Sequence, residues 1–93
     1  MNKFNELKQY SDPEYVMNKA RELGLNPVHP SSQKKHKYMI FDGNKMIHFG
    51  LIPYQDYTYH HDEKRRDRFR KRNHRWAHAP KYSAANLSYR LLW

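Results

Sequence analysis

The chain has no cysteine and no long apolar run, and each shortage excludes a class of protein. Without cysteine neither disulfides nor a thiolate zinc site can staple the fold, and a thiol nucleophile is ruled out. Crossing a bilayer takes about 18 or more consecutive apolar residues, which the sequence does not offer. The opening MNKFNELKQYSDPEY is polar throughout, unlike a signal peptide. The expectation is a soluble protein made in the cytosol, with no membrane span.

Hydrophobic residues make up 38% of the 93 positions, and the mean hydropathy is −1.22. A chain of this length forms one domain at most, with a thin core. Aromatic content of 15% nevertheless argues against disorder. Eight of those rings are tyrosines, whose polar tips suit interfaces and shallow cores.

Acidic residues are scarce, nine against eighteen lysines and arginines, which gives a formal charge of +9 and a pI near 9.9. An anionic partner follows: nucleic acid, an acidic protein surface or a lipid headgroup layer. Residues 1 to 50 hold eight basic and five acidic groups, and residues 51 to 93 hold ten and four. The C-terminal half is the electrostatic half.

SDPE at residues 11 to 14 reads as a helix start, with Ser11 as the cap, Pro13 in the first turn and Glu14 closing a capping box. The helix EYVMNKARELG then sets Val16, Ala20 and Leu23 on one side, with Gly24 suited to the left-handed C-terminal position. Asn26, Pro27 and Pro30 read as loop. KYMIFDGNKMIHFG predicts a β-hairpin, with Tyr38 to Phe41 and Met46 to Phe49 flanking the turn from Asp42 to Lys45, where Asp-Gly is a favoured tight-turn pair. An isolated hairpin is marginal in water, so another element must lie against it.

Further on, Asp56 or Thr58 can cap a short turn, and Asp62 can cap a main helix over about residues 62 to 75. Lys64, Arg65, Arg66, Arg68, Arg70, Lys71, Arg72 and Arg75 fall in twelve positions with Asp67 as the one acid among them. Phe69 and Trp76 form its only apolar seam. Arginine outnumbers lysine six to two, which favours forked contacts to phosphates or carboxylates. A charge run is ordinarily a solvated face, but one sign repeated along a helix repels itself, and an anion relieves that. These eight residues are the candidate nucleic-acid or anion contacts. No heptad follows them and no zinc finger can form, so binding without sequence preference is expected.

The last helix reads from the cap Ser83 through Ala84, Leu87 and Leu91. The closing Leu91, Leu92 and Trp93 look like an anchor, folding back on Phe69 and Trp76 or inserting into a partner. With Tyr54, Tyr57 and Tyr59 they form the candidate partner-docking set.

His74 and His78, four apart, have metal-binding spacing on an α-helix, but no third ligand is indicated and no metal or other cofactor is expected. GxSxG, phosphate-loop and HExxH motifs are absent. His60, His61, Asp62 and Glu63 allow a nuclease to be imagined, yet the acids are simply explained as helix N-terminal charges. The chain reads as non-enzymatic.

Residues 48 to 93 resemble a family of small, basic proteins of large double-stranded DNA viruses of protists and their relatives. The shared pattern falls on Phe49 and Gly50; on Asp56, Tyr57, Thr58 and His60; on Asp62, Glu63, Arg65 and Arg66; on Arg72 and Asn73; and on Ser83, Ala84, Leu87, Ser88, Leu91, Leu92 and Trp93. The resemblance implies a viral origin and a role in the particle, after synthesis in the host cytoplasm.

The expected fold is α+β: a single small domain over residues 1–93, with an N-terminal helix and loop (1–35), a β-hairpin (36–50) and a basic C-terminal helical unit (51–93). The leading functional expectation is a virion structural protein, a minor capsid or cement protein on the inner side of the shell. Its arginine helix would meet acidic capsid surface or packaged genome. The alternative is a nucleic-acid-binding protein that condenses or packages the genome without sequence preference. A cement protein should expose Tyr54, Tyr57, Tyr59, Tyr82 or Tyr89 to other chains, whereas a free-standing binder should bury most of them in its own core.

Overall fold

The computed structural model describes residues 2–93. The elements run α1 (Lys3–Leu7), α2 (Pro13–Glu22), β1 (Val28–Pro30), β2 (His36–Asp42), β3 (Lys45–Leu51), α3 (Tyr57–His60), α4 (Glu63–Arg72), a 3₁₀ turn at His74–His78, α5 (Ala84–Leu87) and a π turn at Ser88–Leu92. Helices surrounding a three-stranded antiparallel sheet of order β1-β2-β3 make the fold α+β.

The hairpin forms where the sequence places it, closed by the pair Asp42 and Lys45. Its two-residue turn is Gly43-Asn44 rather than Asp-Gly, and of these only Gly43 has positive φ, at 61°. Glycine at the first central position is the pattern of a type II′ turn, which matches the strand twist. The third strand arises in the stretch expected to be loop. There Val28 pairs with Ile40 and Pro30 with Tyr38, and Pro30 is tolerated because β1 is an edge strand.

α2 starts one residue later than SDPE suggests. The Asp12 carboxylate accepts from Tyr15 N–H at 3.1 Å, so Asp12 is the cap, and Pro13 takes the first position. Ser11 is thereby free for the interior, where it is 3% exposed. Val16 and Ala20 are buried as expected, but Leu23 is 40% exposed. The helix ends at Glu22, Gly24 turns the chain with φ 72°, and Leu25 packs against the core instead.

One core joins the three segments distinguished in the sequence: Leu7, Val16, Ala20, Val28, Tyr38, Ile40, Phe49, Leu87, Leu91 and Leu92 are all buried in it. Fully burying one such aliphatic or aromatic side chain contributes about 1.5–3 kcal/mol. Leu87 and Leu91 lie inside as expected, Ala84 is exposed, and Leu92 joins them. In a π turn hydrogen bonds run from i to i+5, so residues four and five beyond Leu87 both come round to its side.

A polar chain crosses this core. Tyr38 O–H donates to Ser11 Oγ at 2.7 Å, Ser11 lies 3.0 Å from Thr58 Oγ1, and Thr58 donates to Asp56 Oδ1. Lys37 Nζ donates to the other Asp56 oxygen at 3.0 Å. With Thr58 committed to Asp56, Ser11 must donate to Thr58, so every hydroxyl passes its proton toward one carboxylate. Thr58 Oγ1 also accepts Asp12 N–H at 2.9 Å, so the start of α2 is tied to the same chain. Buried polar groups satisfied in this way fix one arrangement of the elements that carry them.

Gly50 makes the ion pair possible. It sits opposite Lys37 in the β2–β3 register with φ 76°, and a Cβ there would lie 3.0 Å from Leu92 Cδ1 and 3.1 Å from Lys37 Cδ. Only glycine allows both the backbone angle and the passage of the lysine stem.

Candidate nucleic-acid interface

α4 is built by its cap. Asp62 Oδ1 accepts from Lys64 and Arg65 N–H at 3.0 and 3.2 Å, and the acid also suits the positive helix end. The α-helix stops at Arg72, three residues short of the expected end, where Asn73 gives way to the 3₁₀ turn. No residue of α4 is fully buried, yet its sides differ. Arg66, Phe69, Arg70 and Asn73 are half-buried, while Lys64, Arg65, Arg68, Lys71 and Arg72, with Arg75 beyond, are exposed.

The inner side is a clamp on Trp93. Its indole lies on Phe69 with centroids 4.3 Å apart and planes 7° from parallel, and Trp76 meets Phe69 edge-on at 5.7 Å. Arg66 Nε donates to the Trp93 main-chain oxygen at 3.0 Å, and Arg70 donates to it twice, at 3.1 and 2.8 Å. The two guanidinium groups also lie over the rings of Tyr57 and Tyr89, at 4.7 and 5.2 Å. Two of the eight candidate anion contacts, Arg66 and Arg70, are therefore engaged within the fold.

The outer six are not. Among the described residues none of Lys64, Arg65, Arg68, Lys71, Arg72 and Arg75 has a carboxylate within ion-pair distance. Arg65, Arg68 and Arg72, at i, i+3 and i+7, share one side of α4. They border a groove of about 360 Å³ whose other walls are Tyr54, Gln55 and the edges of Phe69 and Trp93. Tyr54 is 69% exposed. Forked cations beside open aromatic surface are what a nucleic-acid backbone and its bases require.

The docking set divides. Leu91 and Leu92 are each 2% exposed and belong to the core, so they are not available to a partner in this fold. Trp93 takes the first of the two placements open to it, folding back on Phe69 of the same chain. Tyr57 is half-buried under Arg66, and only Tyr54 and Tyr59 of the six remain open. Tyr82 and Tyr89 are likewise used internally: Tyr82 accepts from Asn26 N–H at 3.1 Å, and Tyr89 lies under Arg70.

The imagined nuclease group is spent on local structure. Asp62 caps α4, Glu63 accepts from Tyr57 O–H, and His60 Nδ1 accepts from Asp62 N–H at 3.0 Å. His74 and His78 fall in the 3₁₀ turn, where residues four apart no longer align. Among the described residues no three of His, Asp or Glu converge as metal ligands, and no helix is long and apolar enough to cross a membrane.

The groove was not legible in the order of residues; the return of Trp93 onto Phe69 was one of the two placements the sequence offered, but the hold of Arg66 and Arg70 on its main-chain oxygen was not. The Lys37–Asp56 pair had no signal at all, because Lys37 sits in the run KKHK at residues 34–37 and is not distinguished by type from Lys34 and Lys35.

The molecule is thus a small α+β protein with an arginine stripe on one helix that has no ion-pair partner among the described residues. Residues 27–73, just over half of the 93, match a family of unknown function (DUF5754), and the chain belongs to that family. The matched span carries the whole sheet, Gly50, the Lys37–Asp56 pair and α4, but neither α2 nor the Trp93 end of the clamp. No curated protein and no solved structure matches the chain.

Proposed function

We propose that the chain is a non-enzymatic nucleic-acid-binding protein that engages phosphates, without sequence preference, through Arg65, Arg68, Arg72 and the neighbouring exposed cations. The observation that carries this reading is the absence of any ion pair to the outer six cations among the described residues, beside a groove edged by Tyr54. The self-contained core supports it as well, since most of the aromatic and apolar groups expected to dock on other chains are used internally. The resemblance to proteins of large DNA viruses supplies a setting in which the bound polymer is packaged genome.

A virion structural role, with capsid subunits as partners, is the second reading. It is favoured by one observation, that Tyr54, Tyr59 and Leu51 are 69%, 44% and 52% exposed. Fluorescence anisotropy of a labelled random duplex and a labelled single strand, from roughly 50 to 200 mM salt, tests the first reading. Saturable binding whose affinity falls steeply with salt is expected. No binding at the lowest salt by the folded chain would remove the nucleic-acid reading and leave the structural one.

A further inference from the structure

A different side of α4 carries a second cationic site. Between α2, α4 and the C-terminal turn lies a cleft of about 290 Å³, into which Lys19, Arg66, Arg70 and Arg90 bring four positive charges. Among the described residues no Asp or Glu side chain lines it, and the one main-chain acceptor that Arg66 and Arg70 share there is the Trp93 oxygen. Of the four, only Arg66 has an Asp or Glu side chain within ion-pair reach among the described residues, Glu63 at 3.7 Å, which is itself largely in solvent.

The cations are positioned before any ligand arrives. Arg66 and Arg70 are fixed by the Trp93 main-chain oxygen and by the tyrosine rings beneath them. Arg90 Nε donates to Asn86 Oδ1 at 3.1 Å. These bonds use Nε of Arg66 and Arg90 and leave their terminal nitrogens as donors. A guanidinium already held in place loses less freedom when it grips an anion, and its fork fits a phosphate. Two helical turns of α2 complete the mouth: Lys19 stands one turn beyond Tyr15, whose ring is 49% exposed.

We propose that this cleft binds a nucleotide through its phosphate monoester, with the phosphate among Lys19, Arg66, Arg70 and Arg90 and the base against Tyr15. At about 290 Å³ the cleft lies at the lower edge of small-molecule sites, which begin at about 300 Å³, so it fits a ligand at the small end of that class. The free aromatic face selects a planar ring as the remainder. The same chemistry is offered by a free nucleotide and by the 5′-phosphate end of a strand. This site is independent of the Arg65, Arg68 and Arg72 stripe.

Isothermal titration of the full chain with AMP, adenosine and inorganic phosphate tests it. AMP should bind saturably at one site, and adenosine should not. The double variant Lys19→Gln, Arg90→Gln leaves the Trp93 clamp intact and should weaken AMP by roughly tenfold or more, as expected for the removal of charged hydrogen bonds. Tyr15→Ala, on an exposed position, should weaken AMP and leave inorganic phosphate unchanged. Arg65→Gln, Arg68→Gln, Arg72→Gln together should leave AMP binding unchanged. A short strand with a 5′-phosphate is then compared with its 5′-hydroxyl form. Tighter binding of the phosphorylated form, abolished in the double variant, assigns the site to strand ends, and equal binding of the two beside tight AMP assigns it to free nucleotide. The proposal is overturned if neither AMP nor the phosphorylated strand binds saturably, if adenosine binds as well as AMP, or if the double variant binds like the parent.

Discussion

Lys37 Nζ and Asp56 Oδ2 are 3.0 Å apart inside the protein, with side chains 3% and 1% exposed. Burial pushes the Lys37 ammonium below the usual lysine range, and the Asp56 carboxylate opposes that shift. Withdrawing both charges from water is costly, so the pair is a poor source of net stability, yet breaking it strands one charge. Asp56→Ala should therefore destabilise by about 3–5 kcal/mol, whereas Lys37→Met combined with Asp56→Leu should lose much less. Urea denaturation of the three proteins reads this out. Equal losses in the single and double variants would show that the pair itself stabilises the fold.

Tyr38 donates into the same chain. Burial raises its phenol well above the ordinary value of 10.0. The folded form keeps its proton where the unfolded chain has released it, so the contribution of Tyr38 is complete below pH 10 and is lost as pH rises beyond it. Lys37 acts in the opposite sense, because its lowered folded-state value lets stability rise as pH approaches 10.5. Comparison with Tyr38→Phe isolates the phenol. The variant should cost about 1 kcal/mol at pH 7 through removal of the bond to Ser11. Above pH 10 its stability should fall less steeply than the parent's, by up to about 1.4 kcal/mol per pH unit. Parallel curves through pH 11 would exclude the buried phenol as the cause.

What the sequence makes legible here are local features. Asp62 announces α4 because an acid before a charged helix satisfies its first amides, and Gly43 announces the hairpin because few residues accept its backbone angle. Features assembled from distant residues were hidden. Nothing near Lys37 in the chain indicates Asp56, nineteen positions on. β1 is three residues long with a proline in it, so neither alternation nor composition marked it. Leu91 and Leu92 looked like a docking end because hydrophobicity alone does not say whose core receives it, and the π turn that brings both inward has no pattern to read. Arg66 and Arg70 were indistinguishable by type from Arg65 and Arg68, and only their position relative to Phe69 separates them.

His60, whose ring lies 5.3 Å from that of Trp93, makes the fold sensitive to pH. Burial first, and then the Arg65 charge, lower its imidazole below the ordinary 6.5, while Asp56 and Asp62 oppose the shift. Its Nδ1 accepts from Asp62 N–H at 3.0 Å, so the neutral ring carries its proton on Nε2, which is buried without a partner. A second proton must go to Nδ1 and break the bond to Asp62. A base whose folded-state value is lowered contributes stability above 6.5 that is lost as pH falls, and His36, lowered by burial, His48 and Lys3, acts in the same direction. The melting temperature should drop between pH 7 and 5, and His60→Asn, which keeps an acceptor but cannot titrate, should reduce that drop. An unchanged drop would assign it to other groups.

Trp93 rests on Phe69 while its main-chain oxygen holds Arg66 and Arg70. Trp93→Ala removes the stack and leaves the oxygen, so a loss of about 1–3 kcal/mol is expected, below that for a fully buried tryptophan. Arg70→Gln removes the paired hydrogen bonds and the packing against Tyr89, for about 1–3 kcal/mol. Fluorescence of Trp76 during denaturation follows the first variant, since that ring remains. A denaturation midpoint unchanged in both would mean that the end of the chain contributes nothing to the fold.

The two sides of α4 should separate stability from binding. Arg65→Gln, Arg68→Gln and Arg72→Gln together remove cations that have no ion-pair partner, so the melting temperature should stay nearly constant or rise, since like charges along the helix repel. Duplex affinity should fall at every sequence alike, and the log-log salt slope should shrink by about 0.9 for each phosphate that is no longer neutralised, up to roughly 3. Arg66→Gln and Arg70→Gln should do the reverse, lowering the melting temperature through the Trp93 clamp with a smaller change in slope. Salt titrations of both variants beside the parent decide it. A slope that shrinks equally in the two would mean that the clamp arginines reach phosphate as well and that the division of α4 into an inner and an outer side does not govern binding.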